Sequence, residues 1–330
     1  MKNSSPRFCH RESRGSIAIL TLWSILFLAL LSLSLSKEVA GRLLVVSDMK
    51  WGPKVRALGT KAFADSVKLI RQDVSEGYDS LQEPWAGNDT LFRQVPYGGG
   101  SYSLVSEQSD SPEGENQTHY GLTDEERKIN LNRASAAVLS KLLQIKGDLS
   151  ATRADDLANF IVDWRDENTT QEGSPLNSEE CAYLPSPASC KNRNFEVLEE
   201  LFWIPGVTVA LFEQIKRDIT LYGAGPCNIN TATITSLRAA GLSEAGAQKI
   251  VAWRSAGNIF ENVSWITGRS GELRLSNEDL ARLQLAASSG FFGIGSDSYH
   301  GFVRSEFEGK VRGQFSFIVN RKGEVQSWRE

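Results

Sequence analysis

Reactive side chains are scarce in this chain, and their spacing limits the chemistry open to it. The histidines are His10, His119 and His300, and none stands in an H-E-x-x-H pattern. No G-x-S-x-G or P-loop spacing occurs either. A Ser-His nucleophile or a metal-histidine centre therefore has nothing to build on, and an active site would have to consist of carboxylates alone. No enzymatic activity is expected. The cysteines are Cys9, Cys181, Cys190 and Cys227, with no C-x-x-C pair that would hold structural zinc. Cys181 and Cys190 are close neighbours and form the expected disulfide in an oxidising compartment; pairing of Cys227 with one of them is the rival arrangement. One further place invites chemistry. At Arg14-Gly15-Ser16 a basic peptide meets an uncharged run, which is where a peptidase could cut.

The element behind that junction is the run Ser16 to Ser36, 21 residues without a charge. At ~1.5 Å per residue it spans the apolar layer of a bilayer as one helix. Lys2, Arg7, Arg11 and Arg14 precede it against Glu12 alone, so the N-terminus stays cytoplasmic and the remainder crosses the membrane. Three readings fit: a secretory signal cut near Ser34-Leu35-Ser36, an uncleaved anchor, or a prepilin leader ending in Gly15 whose apolar helix stays on the mature protein.

Beyond the run, Leu58, Ala62, Phe63, Val67 and Ile70 recur at helical spacing, and Gly52-Pro53 is expected to kink or interrupt that helix. Residues 76–98 read as a loop, Ser101 to Ser106 as a strand, and 107–118 as a polar turn.

An internal repeat follows. Ile129-Asn-Leu-Asn-Arg-Ala-Ser135 parallels Cys227-Asn-Ile-Asn-Thr-Ala-Thr233. Each copy continues into a helix, a turn (Lys146-Gly147-Asp148; Gly241-Leu242-Ser243), a second helix ending in Trp164-Arg165 or Trp253-Arg254, and a Phe-Glu step at Phe195 or Phe260. This is a helix-hairpin-helix pattern, with the turn glycines expected to take the left-handed backbone. The Asn-x-Asn pairs read as helix caps, and Trp164, Trp253, Leu139 and Leu237 as core. The first copy adds Trp203-Ile-Pro-Gly-Val207 and a further helix over 210–222. The C-terminus alternates apolar and polar residues over 300–307 and 311–320, turns at Asn320-Arg-Lys-Gly323 and returns over 324–328, which predicts strands joined by a hairpin. A helical block over 121–290 thus stands between β segments, as if inserted into an α+β frame.

Charge limits the partners. The chain carries −4, and residues 121–290 hold 17 basic against 22 acidic side chains. A membrane-anchored helix-hairpin-helix DNA receptor, the alternative such repeats suggest, would need the opposite sign to meet phosphates. Nucleic acid is not an expected partner.

Taken in order, these features resemble the K-type minor pseudopilins of type II secretion systems (GspK-like). The resemblance rests on the leader ending in Gly15, the apolar helix, Trp85, Asp124-Glu125 before the first Asn-x-Asn, Asp163-Trp-Arg-Asp166, the second Asn-x-Asn and the C-terminal strands. It implies a pilin-like α+β fold, with a long N-terminal transmembrane helix and a small antiparallel sheet interrupted by a large inserted all-α domain. The segments would be a leader (1–15), a transmembrane helix (16–36), the pilin-like helix and first strands (37–120), the insert (121–290) and the closing strands (291–330). It further implies cleavage after Gly15 by a prepilin peptidase and N-methylation of Ser16. Leu20 would occupy mature position five, where most pilin-like subunits carry Glu. A carboxylate with no neighbour to meet would be costly in lipid, which suits a subunit at the pseudopilus tip. The implied partners are I- and J-type minor pseudopilins and the inner-membrane assembly platform, with one pass through the bacterial inner membrane and a periplasmic C-terminal domain. Members also bind calcium through carboxylates that here correspond to Asp166, Glu167, Asn168, Glu172, Glu179 and Glu180, an oxygen-only set suited to that ion. Asn168 and Asn177-Ser178 depart from the usual pattern.

Overall fold

The computed structural model describes residues 14–73, 77–106, 118–167, 190–268 and 270–329. The expected turn over 107–118 lies almost wholly outside them. Contacts divide the chain into two units, Met1–Arg56 and Ala57–Glu330.

Apolar residues without a polar stripe favour a helix that satisfies its own backbone. Helix α1 spans Arg14–Arg71. Within it, Ile17–Leu43 has mean hydropathy 2.4, none of it buried against protein, and is long and apolar enough to cross a membrane. This stretch extends past Ser36, further than composition alone indicated. Of the kink or interruption expected at Gly52-Pro53, the interruption does not occur, since α1 runs on through it: a proline removes one i→i−4 bond, and the turns on either side continue. In the first unit the Lys50 and Lys54 ammonium groups lie 4.3 and 5.1 Å from the Trp51 ring centre.

The second unit begins within α1. Residues 76–98, expected as plain loop, contain a helical turn, α2 (Asp89–Phe92), capped by Asn88, and a short strand, β1 (Val95–Tyr97). β2 (Gly100–Val105) follows. The next strand of the main sheet is the two-residue β3 (Thr123–Asp124), and a 3-10 turn, Glu125–Arg127, leads to β4 (Ile129–Asn130).

Two helix pairs come next. α3 (Ala136–Gly147) and α4 (Ala151–Arg165) form the first. A 3-10 segment (Leu198–Trp203) and α5 (Val209–Ile215) complete that copy. The helix expected over 210–222 is shorter than its pattern, because the chain turns at Asp218 into β5 (Ile219–Thr220), which pairs in parallel with β4. β6 (Cys227–Asn228) opens the second copy, with α6 (Ile234–Ala239), α7 (Glu244–Ser255), α8 (Val263–Gly268), α9 (Ser270–Leu273) and α10 (Asn277–Ser288). It closes at β7 (Phe292–Gly293), parallel to β6. The insert is therefore helical but not all-α: each copy is tied shut by one parallel two-residue bridge. Each also has its own apolar core, one around Leu142, Ile161 and Leu201, the other around Leu237, Ile250 and Phe260.

The chain then returns as β8 (Ser298–Phe307), β9 (Lys310–Asn320) and β10 (Val325–Arg329), where alternation predicted strands. The antiparallel order is β1-β2-β8-β9-β10, with β3 also on β8. β2 and β8 are neighbours in space, Leu104 opposite Val303, although the whole insert separates them in sequence. Residues 57–71 of α1 cover one face of the sheet. Phe63 meets Phe317 and Trp328 edge-on, with centroids at 5.2 and 5.9 Å, and the Tyr102 hydroxyl donates to Asp65 at 2.6 Å.

Candidate functional site: a buried acidic hub between the two repeats and the sheet

Asp124, Glu125 and Glu126 are consecutive, and all three are buried. Three charged side chains in sequence ordinarily mark a surface, so each needs partners here. The short β3 and the 3-10 turn aim them in three directions. Asp124 accepts from Ser296 Oγ at 2.6 Å, from Asn228 Nδ2 at 3.2 Å and from the Thr231 hydroxyl, and it caps the 3-10 turn through the Glu126 N–H at 2.8 Å. Glu125 accepts from Lys128 Nζ and Thr220 Oγ1, both at 2.6 Å. Glu126 takes the N–H groups of Ala224, Asp297 and Ser298 at 3.0, 2.9 and 3.1 Å. One acid thus holds the second repeat, one the first, and one the linker and the start of β8. The function of this triplet is to join the insert to the sheet.

Burial sets the electrostatics. It raises Asp124 to about 6, against donors from Ser296 and Thr231. Burial and the neighbouring Asp124 push Glu126 up to about 8, against its three backbone N–H donors. Burial is the largest influence on Glu125 and would raise it as well, but the Lys128 and His300 charges and the Lys128 and Thr220 donors together outweigh it, and the net direction is down. A second knot adjoins the first. Asp79 accepts from Tyr299 Oη and the Ser296 N–H, each at 2.6 Å, and pairs with Arg321, which also reaches Asp73 at 3.2 Å. Burial of Trp85 leaves its Nε1 to donate to Glu83 at 2.5 Å, and its ring stands edge-on to Tyr299 at 5.0 Å. Burial raises Glu83 to about 7. Carboxylate oxygens of Asp73, Asp79 and Glu83 lie within 4.8 Å of one another, close enough to share a cation. The Arg321 guanidinium already fills that role for two of them.

The repeat has its own logic. Asn132 and Asn230 do not cap helices, as the pattern suggested; Ser135 and Thr233 do, accepting from Val138 N and Ser236 N. Each of these two asparagines instead brackets a phenylalanine peptide. Asn132 accepts from Phe195 N–H at 2.7 Å and donates to its carbonyl at 3.0 Å; Asn230 does the same with Phe260 at 2.8 and 3.0 Å. The first asparagine of each pair accepts the N–H of the second. Arg165 donates to the carbonyls of Leu131 and Ala134, and Arg254 to those of Ile229 and Ala232. Sequence reading missed both arginines as staples, although the matched Trp-Arg dipeptides were the available signal. The left-handed turn residue is Gly241 in the second copy (φ 102°) but Asp148, not Gly147, in the first (φ 51°).

Of the residues singled out in sequence, Gly15 and Ser16 lie at the start of α1, and Leu20 is exposed on it. Asp166 follows the last residue of α4 and Glu167 comes next. Asn168, Glu172, Glu179, Glu180 and Cys181 lie outside the described residues. Cys190 is disulfide-bonded, and Cys227 is a buried free thiol.

Comparison with known proteins agrees with this architecture. Residues 110–224 match the family described as Type II secretion system (T2SS), protein K. The fold is similar to a chain of the GspK-GspI-GspJ complex from the enterotoxigenic Escherichia coli Type 2 Secretion System. The TM-score is 0.58 at 17% identity, over 85% of this chain and 96% of that one. No curated protein sequence matches. The match over residues 110–224 bears out the resemblance to K-type minor pseudopilins in that stretch, and the structural likeness bears out the pilin-like α+β fold.

Proposed function

We propose that this chain is a non-enzymatic minor pseudopilin at the tip of a type II secretion pseudopilus. The observation that carries the reading is the protein K match over 110–224, which falls largely within an insert between two strands that are sheet neighbours. In this reading a prepilin peptidase removes residues 1–15, the new N-terminus at Ser16 is methylated, and α1 anchors the chain once in the bacterial inner membrane with the sheet and insert in the periplasm. Leu20 at mature position five leaves no carboxylate in lipid for a subunit above to neutralise. The E. coli relative was solved with its I and J partners; the equivalent pseudopilins and the assembly platform are this chain's proposed partners. The role is mechanical: α1 packs in a membrane bundle, and the joined insert caps the fibre. Calcium would be held by Asp166, Asn168, Glu172, Glu179 and Glu180, all of them oxygen donors.

Intact mass and N-terminal sequencing of membrane-extracted protein, with and without prepilin peptidase, test the reading. A peptidase-dependent, methylated Ser16 and co-purification with I- and J-type pseudopilins are expected. An N-terminus near Lys37 would sink the proposal.

A further inference from the structure

The sheet face opposite α1 is not simply covered by the insert. A cavity of about 150 Å3 lies between this face and the first repeat. Register places two rows of side chains on it: His300, Ile318 and Ser327 in one, Ser316 and Arg329 in the other. Residues paired across neighbouring strands share a face at ~5 Å between Cβ atoms. Lys128 and Lys216 close the cavity from the insert side.

Most charges at this cavity are already matched. Glu125 holds Lys128 at 2.6 Å, Lys216 pairs with Glu213 at 2.5 Å, and Glu196 lies 3.4 Å from Lys191. Arg329 is different. It has no hydrogen-bond or ion-pair partner among the described residues, and neither do the hydroxyls of Ser316 and Ser327 that line the same space. A guanidinium fork beside two free hydroxyl donors calls for a ligand with two acceptor oxygens on one planar group. In a chain of net charge −4 this local excess of donors is notable. Ser327 and Arg329 belong to β10, the outer strand of the sheet, whose far edge has no strand partner among the described residues. Such an edge accepts an extended segment by main-chain pairing while side-chain sites give specificity.

We propose that this cavity receives a carboxylate carried on an extended segment of a partner protein that lies along β10. The inference does not depend on the export role.

The test uses the full-length chain in detergent micelles and a fluorescein-labelled peptide of alternating Val and Glu, read by anisotropy. Saturable binding is expected, with a Gln-for-Glu peptide weaker by about tenfold, Arg329→Gln weaker by a similar factor, and Ser316→Ala weaker by a smaller one. Free glutarate should compete. Arg329 is exposed and unpartnered, so its replacement leaves folding intact. Equal binding of the Gln peptide, an unchanged Arg329→Gln, or no saturation overturns the proposal. Binding of glutarate without binding of the peptide also overturns it and assigns the cavity to free carboxylates.

Discussion

Asn230 holds the Phe260 peptide with both ends of its amide, accepting the N–H at 2.8 Å and donating to the carbonyl at 3.0 Å, at a buried position. The loop before α6 and the loop after α7 are thereby pinned together around Phe260. Asn230→Ala leaves a buried donor and acceptor unpaired, which costs about 1–3 kcal/mol for each group left unsatisfied. Asn132→Ala removes the same bracket at a half-buried site, where water can enter, and should cost less. Urea denaturation of both variants checks the ordering; an equal or reversed loss would mean the bracket is incidental.

The acidic hub predicts an unusual pH profile. Burial raises Glu83 to about 7 and Glu126 to about 8, both above the ordinary value of 4.5, and Asp124 to about 6 from 3.8. Between the unfolded and folded values the folded chain holds protons that the unfolded chain has released. Stability from these groups is complete below about pH 4 and is lost as pH rises through 8, by up to about 1.4 kcal/mol per pH unit per proton. Glu125, displaced downward, acts oppositely and only in the acid range. The melting temperature should therefore fall from pH 5.5 to pH 8.5. A flat or rising profile contradicts the assignment.

Gly59 offers a test by sign. In an exposed helix, Gly to Ala gains about 1 kcal/mol. Here a Cβ at position 59 would sit 2.2 Å from the Phe315 ring, under the packed aromatic layer of Phe63, Phe317 and Trp328. Gly59→Ala should destabilise by about 1–3 kcal/mol as that layer shifts. Thermal unfolding decides between gain and loss.

Cys227 should be silent to thiol reagents in the folded state. It is buried, its thiol donates to the Arg127 carbonyl at 3.7 Å, and burial together with the Asp124 charge pushes its pKa up. Alkylation followed by mass spectrometry should label it only in denaturant. Rapid labelling of the native chain would show that the second repeat opens readily.

Local pattern was enough for several features. The 21-residue uncharged run gave a membrane-length helix because an apolar segment has no other way to satisfy its backbone. Alternation over 300–320 gave β8 and β9, and the Asn-x-Asn, Trp-Arg and Phe-Glu steps, recurring in the same order though at different spacings, gave two copies of one unit. Tertiary structure decided what those residues do. Nothing local says that Asn132 reaches Phe195 or that Arg254 reaches Ile229, because these partners are tens of residues apart and meet only once each repeat closes. Nothing local accounts for three consecutive buried acids; only the convergence of β3, both repeats and β8 supplies the donors that let Asp124, Glu125 and Glu126 be buried. Periodicity reports which face of an element is apolar; which distant backbone group satisfies a buried polar atom is set by the packing of the whole chain.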